Sequence, residues 1–331
     1  MRVLVTGGTG FLGGSLVERL VSRGDKVRVL VRRTSDTAFL RSLGVEMAEG
    51  DVTDRASVME ACQGVEIVYH AAAFSSDWGA YDHFHAVNVE GTQNVIDACR
   101  EARIQRLVHV STQSVVFAFD DHHGTDESYP IPPRHRDFYS ATKAEAERRV
   151  LDAHGGALFT TAIRPHIIWG PRDTKFLPRI EALARKGQLV LVGGGRSLCS
   201  ISYIDNVVDA LLLGAERDAA GGEAFFIVDR EPVEVRHFVG RLCEAVGAPL
   251  PTLSVPYRLA FGSAIALEWV WRLLGRQTPP PISRYGVALL SRNTVFRWEK
   301  AHRLLGYTPG VEFQEGMRRL MEWRARNPPR D

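Results

Sequence analysis

The chain has 331 residues, 45% of them hydrophobic and 24% charged, enough for a large buried core and, at this length, for one domain plus a smaller one. Its 41 Lys and Arg against 39 Asp and Glu leave a formal net charge of +2, so no global field points to nucleic acid or to an acidic membrane surface. Cys62, Cys99, Cys199 and Cys243 lack metal-ligand or redox-pair spacing and read as small hydrophobes of a reducing compartment. With a first strand beginning at Arg2 there is no room for a signal or transit peptide, so a cytoplasmic enzyme is the default expectation.

The opening stretch Val3-Leu4-Val5-Thr6-Gly7-Gly8-Thr9-Gly10-Phe11-Leu12-Gly13 runs from an apolar, strand-like segment into a helical pattern with Leu12, Leu16, Val17 and Leu20 on one side. Two registers of a dinucleotide fingerprint overlap in it, Gly8-x-Gly10-x-x-Gly13 and Gly7-x-x-Gly10-x-x-Gly13. Glycines at these spacings allow a tight turn, close approach of backbone amides to a pyrophosphate, and packing of the helix on the strand. Gly7, Gly10, Phe11, Leu12 and Gly13 are therefore candidate cofactor contacts, with the phosphates on the positive end of the helix that starts near Phe11.

Lys26 to Val31 alternates as a second strand and completes a βαβ unit. Where NAD-binding folds place an acidic residue on the ribose diol, this chain has Arg32-Arg33-Thr34-Ser35. Guanidiniums and hydroxyls suit a 2′-phosphate, so Arg32 and Arg33 favour NADP(H), with NAD(H) as the alternative. Val45 to Ala48 reads as a third strand followed by Asp51 and Val52 at the adenine edge, and Ser57 to Cys62 as a short helix. Glu66 to His70 reads as a fourth strand ending in Ala71, Ala72 and Ala73, whose small side chains leave space for a nicotinamide ribose. Asp82 to Arg103 carries a helical pattern and Arg106 to Val110 is the next strand. Strand and helix alternating this regularly predict an α/β fold, a Rossmann-type doubly wound parallel sheet.

Ser111-Thr112-Gln113-Ser114 is a hydroxyl cluster directly after that strand, at the carboxyl edge where such sheets bind ligands. The segment with His122, His123, Asp126 and Glu127 is expected to be a solvated loop rather than a metal site, and no metal is expected. Tyr139 and Lys143, four apart, fall on one face of a helix. An ammonium beside a phenol favours the phenolate and makes tyrosine a usable proton donor or acceptor.

Taken together, these segments make the chain resemble the extended short-chain dehydrogenase/reductase superfamily. Thr6 to Gly13 matches its nucleotide motif, Ser111-Thr112 its hydroxyl segment, Tyr139/Lys143 its catalytic pair, and Arg164-Pro165 with Trp169-Gly170-Pro171 its post-strand segment. The resemblance implies that Tyr139 is the acid/base, that Lys143 lowers its pKa and holds the nicotinamide ribose, that a hydroxyl on Thr112, or less so Ser111, meets the substrate oxygen, and that Pro165 lines the cofactor. It also implies that Asn88 supports the lysine site. Asn88 to Arg100, Arg106 to Phe117 and Ile204-Asp205-Asn206 look like the 3β-hydroxysteroid dehydrogenase branch, near 2-alkyl-3-oxoalkanoate reductases and sterol-4-carboxylate 3-dehydrogenases. Val116-Phe117-Ala118 departs from the V-Y-G that the superfamily's sugar epimerases and dehydratases usually carry.

The expected division is a dinucleotide-binding domain over 1–175 and a smaller, mostly helical substrate-binding part over 176–331, interleaved with the sheet. Ala260 to Leu274 is apolar and aromatic but too short to span a bilayer; it reads as a core helix or as an apolar face for a lipid substrate or a membrane surface. His166, after Arg164-Pro165, is a candidate partner for a substrate carboxylate if protonated. The resulting expectation is an NADP(H)-dependent oxidoreductase acting on a ketone or secondary alcohol of a bulky apolar molecule. A nucleotide-sugar epimerase or dehydratase is the competing enzyme, and a non-catalytic nucleotide-sensing regulator the competing binder. The partners expected are a small apolar substrate, no nucleic acid, a peripheral membrane contact through 260–274, and a homodimer as a further option.

Overall fold

The computed structural model describes residues 1–328. Seven parallel strands form the central sheet: β1 (Arg2–Thr6), β2 (Lys26–Val31), β3 (Glu46–Glu49), β4 (Ile67–His70), β5 (Arg106–Val110), then, beyond the short strand β6 (His122–Thr125) outside it, β7 (Phe159–Pro165) and β8 (Ala224–Ile227). Their order, β8-β7-β5-β4-β1-β2-β3, reverses direction of winding between β1 and β4, and a ligand crevice belongs at that switch point.

Helices cover both faces because alternate strand residues point to opposite sides. Val3 and Val5 share one core with helix α1 (Phe11–Ser22), whereas Leu4, Val68 and Leu107 share the other with helix α2 (Gly91–Glu101) and with Val150 of helix α3 (Phe138–Asp152). The first core is completed by helix α4 (Ile204–Glu216), through Val207, Val208 and Leu211. Within residues 204–227 the chain thus adds one helix and one edge strand to the sheet layer.

Three local expectations change. The single helix read over 82–103 is interrupted: Tyr81–Phe84 is α, His85–Glu90 is a π-turn, and α2 follows. One extra residue per turn is invisible to a 3.6-residue period, and the wide turn presents the Asn88 side chain inward. The expected solvated loop at 122–125 is instead β6, paired in parallel with strand β9 (Thr294–Phe296), and His122 is buried; the partner lies about 170 residues away, beyond the reach of local pattern. Finally, helix α5 (Tyr257–Leu273) is not an ordinary core helix, since among its residues only Ala260, Ala264 and Glu268 are buried.

Candidate active site

Helix α3 carries the centre of the site, and its ends explain its position. Asp137 caps its start, accepting from the Ser140 backbone N–H at 2.8 Å and from the Ser140 hydroxyl at 2.7 Å. One face is tied to the sheet by a buried bidentate pair in which Arg164, near the end of β7, donates to both Glu147 oxygens at 2.8 and 2.6 Å. Tyr139 and Lys143, on this helix, face a cleft of about 550 Å³ along the carboxyl edge of β1, β4, β5 and β7.

The glycine turn forms one end of that cleft, lined by Gly7, Gly10, Phe11, Leu12 and Gly13. Gly7 has φ +73° and takes the Gly10 N–H at 3.0 Å; a Cβ on Gly13 would stand 2.2 Å from the Gly7 carbonyl oxygen. Gly10 caps α1 with no side chain bonded to the free amides, and the first turn holds no acid, so the donors there remain open to an anion. Arg32, Asp51 and Val52 line the end of the cleft at β2 and β3, while Ala71, Ala72 and Pro165 line the middle. Arg33 does not join them: its side chain is 87% exposed and paired outward with Glu49 at 2.9 Å. Adjacent residues leaving a strand point to opposite sides, so only one of the two arginines can face the cleft. Arg32 has no ion pair among the described residues.

Ser111, Thr112, Tyr139 and Lys143 converge at the other end. Lys143 is only 2% exposed; its Nζ donates to the Val110 carbonyl at 2.7 Å and lies 3.1 Å from His109 Nε2. Burial lowers its pKa to about 7. The half-buried Tyr139 phenol is pushed up to about 12, chiefly by burial; the Thr112 hydroxyl pulls it back and the Asp137 carboxylate adds to the rise. The lowering expected from a lysine neighbour is not found: Lys143 is not among the groups that move the phenol, and desolvation sets the direction. Thr112 accepts from the Ser114 N–H at 3.2 Å, and Ser114 Oγ sits 2.8 Å from the Tyr285 hydroxyl. Ser111 Oγ is buried without a partner among the described residues while lining the cleft, an unsatisfied group that a ligand would satisfy.

Asn88 accepts from the Phe74 N–H at 2.8 Å and donates to the Thr142 hydroxyl at 3.1 Å, tying the 71–74 segment to α3 beside Lys143. His166 lines the cleft, but burial first and His122 second lower its pKa to about 3. It stays neutral and cannot supply the charge expected of it for a carboxylate. Sequence reasoning missed Lys175, whose Nζ reaches the Ser75 carbonyl at 3.2 Å across the cleft; no motif surrounds it. Among the described residues no group of three or more His, Cys, Asp or Glu could hold a metal ion. The cradle of free amides, the space kept by glycine and the orphaned Ser111 hydroxyl fit an extended dinucleotide.

Residues 4–257 match the family described as the 3-beta hydroxysteroid dehydrogenase/isomerase family. The chain is 41% identical over 330 residues to a 2-alkyl-3-oxoalkanoate reductase of Stenotrophomonas maltophilia, covering 97% of this chain and 98% of that one. It is 40% identical over 322 residues to a 4-hydroxy-2-methyl-3-oxo-4-farnesyl-3,4-dihydroquinoline-1-oxide ketoreductase of Stigmatella aurantiaca, covering 97% and 96%. Its fold is similar to that of a dTDP-glucose 4,6-dehydratase of Streptomyces venezuelae solved with NAD bound, with a TM-score of 0.79 at 26% identity over 99% and 98% of the two chains.

Proposed function

The chain belongs to the 3-beta hydroxysteroid dehydrogenase/isomerase family, and from that premise we propose that it interconverts a hindered ketone and the corresponding secondary alcohol on a molecule with a large hydrocarbon part, using NADP(H). The observation that carries this reading is the meeting of the glycine cradle with Tyr139, Lys143, Ser111 and Thr112 in one cleft. The dinucleotide supplies or accepts the hydride when bound. Tyr139 gives its phenolic proton to the carbonyl oxygen during reduction, or takes the alcohol proton during oxidation. Thr112 donates a hydrogen bond to the same oxygen, and Lys143 holds the ribose.

Toward the reactive end the cleft is lined by the apolar Phe74, Val87, Ile168 and Phe176. On its other side the Tyr139 ring meets Tyr285 edge-on at 6.4 Å, where both face a second, smaller pocket with Phe119. An apolar lining suits a hydrocarbon better than a nucleoside diphosphate. With a graded series of 2-alkyl-3-oxo acids, kcat/KM is expected to rise about fourfold per buried methylene, following ~0.8 kcal/mol each. Sterols with a 4-carboxylate should also be tried, and dTDP- or UDP-sugars should not turn over. A flat chain-length series, or a sugar nucleotide as the better substrate, would remove the apolar pocket from the account.

The preference for NADP(H) rests on Arg32, now without Arg33. One charge-assisted contact is worth about 1.5–3 kcal/mol, so Arg32→Ala should weaken NADPH roughly tenfold or more and leave NADH nearly unchanged. Equal binding of both cofactors to the unaltered protein, by fluorescence titration, overturns the preference.

Helix α5 adds a surface. Phe261 reaches inward, but Trp269 and Leu273 are 66% and 79% exposed, with Leu259, Val270 and Leu274 beside them. Arg258, Arg272 and Arg276 edge this face without ion pairs among the described residues, while the one acid, Glu268, is turned in to Arg284 at 2.6 Å. Among the described residues no helix is long and apolar enough to cross a membrane. An apolar stripe with a cationic border suits the surface of an anionic bilayer, where a lipid substrate resides, and a cytoplasmic protein would meet it peripherally. Sedimentation with anionic vesicles should carry the protein down, and Trp269→Glu with Leu273→Glu should release it. A concentration-dependent dimer abolished by the same pair, with no vesicle binding, assigns the face to a second copy instead.

A further inference from the structure

The strands β1, β4 and β5 place Thr6, His70 and His109 in one register, side by side across the sheet beneath Lys143. The two histidines are both fully buried but differently used. The Thr92 hydroxyl donates to the Asn88 carbonyl at 2.6 Å, so its oxygen accepts from His70 Nε2–H at 2.9 Å. His70 Nδ1 is then the acceptor for the Thr6 hydroxyl at 2.7 Å, and both ring nitrogens are satisfied. His109 lacks such a frame. Its Nε2 is 3.1 Å from Lys143 Nζ, and its Nδ1 is buried with no partner among the described residues.

A buried, unpaired ring nitrogen costs stability that an apolar side chain on β5 would avoid, which points to a use for the other nitrogen. An ammonium has no acceptor capacity, so in the contact with charged Lys143 the imidazole must accept at Nε2 and carry its own proton on Nδ1. Burial, with Lys143 and His70 adding, holds the His109 pKa well below its ordinary value, so the ring does not compete for the charge.

We propose that His109 is a positioning residue for Lys143: its neutral imidazole takes one ammonium hydrogen, the Val110 carbonyl takes a second, and the third N–H is held toward the cleft. Two acceptors on Nζ also favour its charged form, against the burial that lowers its pKa. Other ionisable groups around it are His70 on β4, Tyr139 and Glu147 on α3 itself, and Arg164 on β7, whose charge is spent on Glu147. Asp137 stands before α3, and Tyr285 comes from helix α6 (Arg284–Leu289), against the Tyr139 ring. None of these supplies Lys143 Nζ with another acceptor among the described residues.

This inference rests on the catalytic reading of Tyr139 and Lys143 given above. Removing the acceptor with His109→Phe lets Lys143 lose its proton at lower pH: the titration midpoint of Nζ, followed by nitrogen-15 NMR of lysine-labelled protein, should fall from about 7 by about one unit or more. His109→Gln, which restores an acceptor oxygen, should bring the midpoint back toward that of the unaltered enzyme. A packing role alone would change melting temperature or KM and leave the midpoint in place, and that result overturns the proposal. Should His109→Phe not fold, nitrogen-15 NMR of the unaltered protein decides: unprotonated Nε2 with protonated Nδ1 supports it, protonated Nε2 overturns it. If Tyr139→Phe keeps normal turnover, the catalytic reading itself falls. If Tyr139→Phe is inactive and the His109→Phe midpoint is unmoved, only the role of His109 falls.

Discussion

Tyr139→Phe is expected to lower turnover by about 100- to 10,000-fold while the protein folds and binds the reduced dinucleotide as before. The substitution removes one hydroxyl and keeps the ring against Tyr285. Two Lys143 hydrogens are committed to Val110 and His109, the Thr112 oxygen is engaged with Ser114, and His166 is buried and neutral. The third Lys143 N–H serves the ribose in this reading, and the Ser111 hydroxyl, unpartnered among the described residues, is too weak an acid to replace the phenol. The phenol also sets the direction of the pH dependence. Ketone reduction needs its protonated form, and with the pKa raised to about 12 by burial that form persists through neutrality, so reduction should fail only as pH rises into the alkaline range. Oxidation needs the phenolate and should rise with pH. Steady-state assays with a cofactor titration check both, and near-normal turnover in Tyr139→Phe would sink the assignment.

The second large effect concerns the cradle. Gly13→Ala places a Cβ 2.2 Å from the Gly7 carbonyl oxygen, 2.7 Å from its carbon and 2.9 Å from the Gly8 Cα. All three are backbone atoms, so relief requires α1 to move away from the turn, and the amides at its start leave the position where they converge. Losing two charge-assisted contacts to a pyrophosphate at about 1.5–3 kcal/mol each weakens either dinucleotide by roughly 100-fold or more. Gly262→Ala is the control, since no heavy atom lies within 4 Å of its Cβ position in an exposed turn of α5. It should leave affinity untouched, and alanine is favoured over glycine in a helix by about 1 kcal/mol. Unaltered cofactor affinity in Gly13→Ala would show that the phosphates do not lie on this turn.

Much of the fold and of the site was legible because it depends on neighbours along the chain. The run from Val3 to Gly13 needs only a two-residue period, glycines where a Cβ cannot fit and a 3.6-residue period after them. Tyr139 and Lys143 share a face through helix geometry alone, and the alternation of strands and helices dictates a parallel sheet with its crevice at the carboxyl edge. The remainder belongs to residues far apart in sequence. Packing at the end of β2 decided that Arg32 faces the cleft and Arg33 faces Glu49. Pairing with Thr294–Phe296 turned an expected loop into a strand with His122 inside. The outward turn of Trp269 and Leu273 follows from which side of α5 meets the rest of the molecule. Protonation was decided the same way: a neutral His166, a raised Tyr139 and a lowered Lys143 all reflect loss of solvent on burial, and that depends on every element closing over the group rather than on the residues beside it.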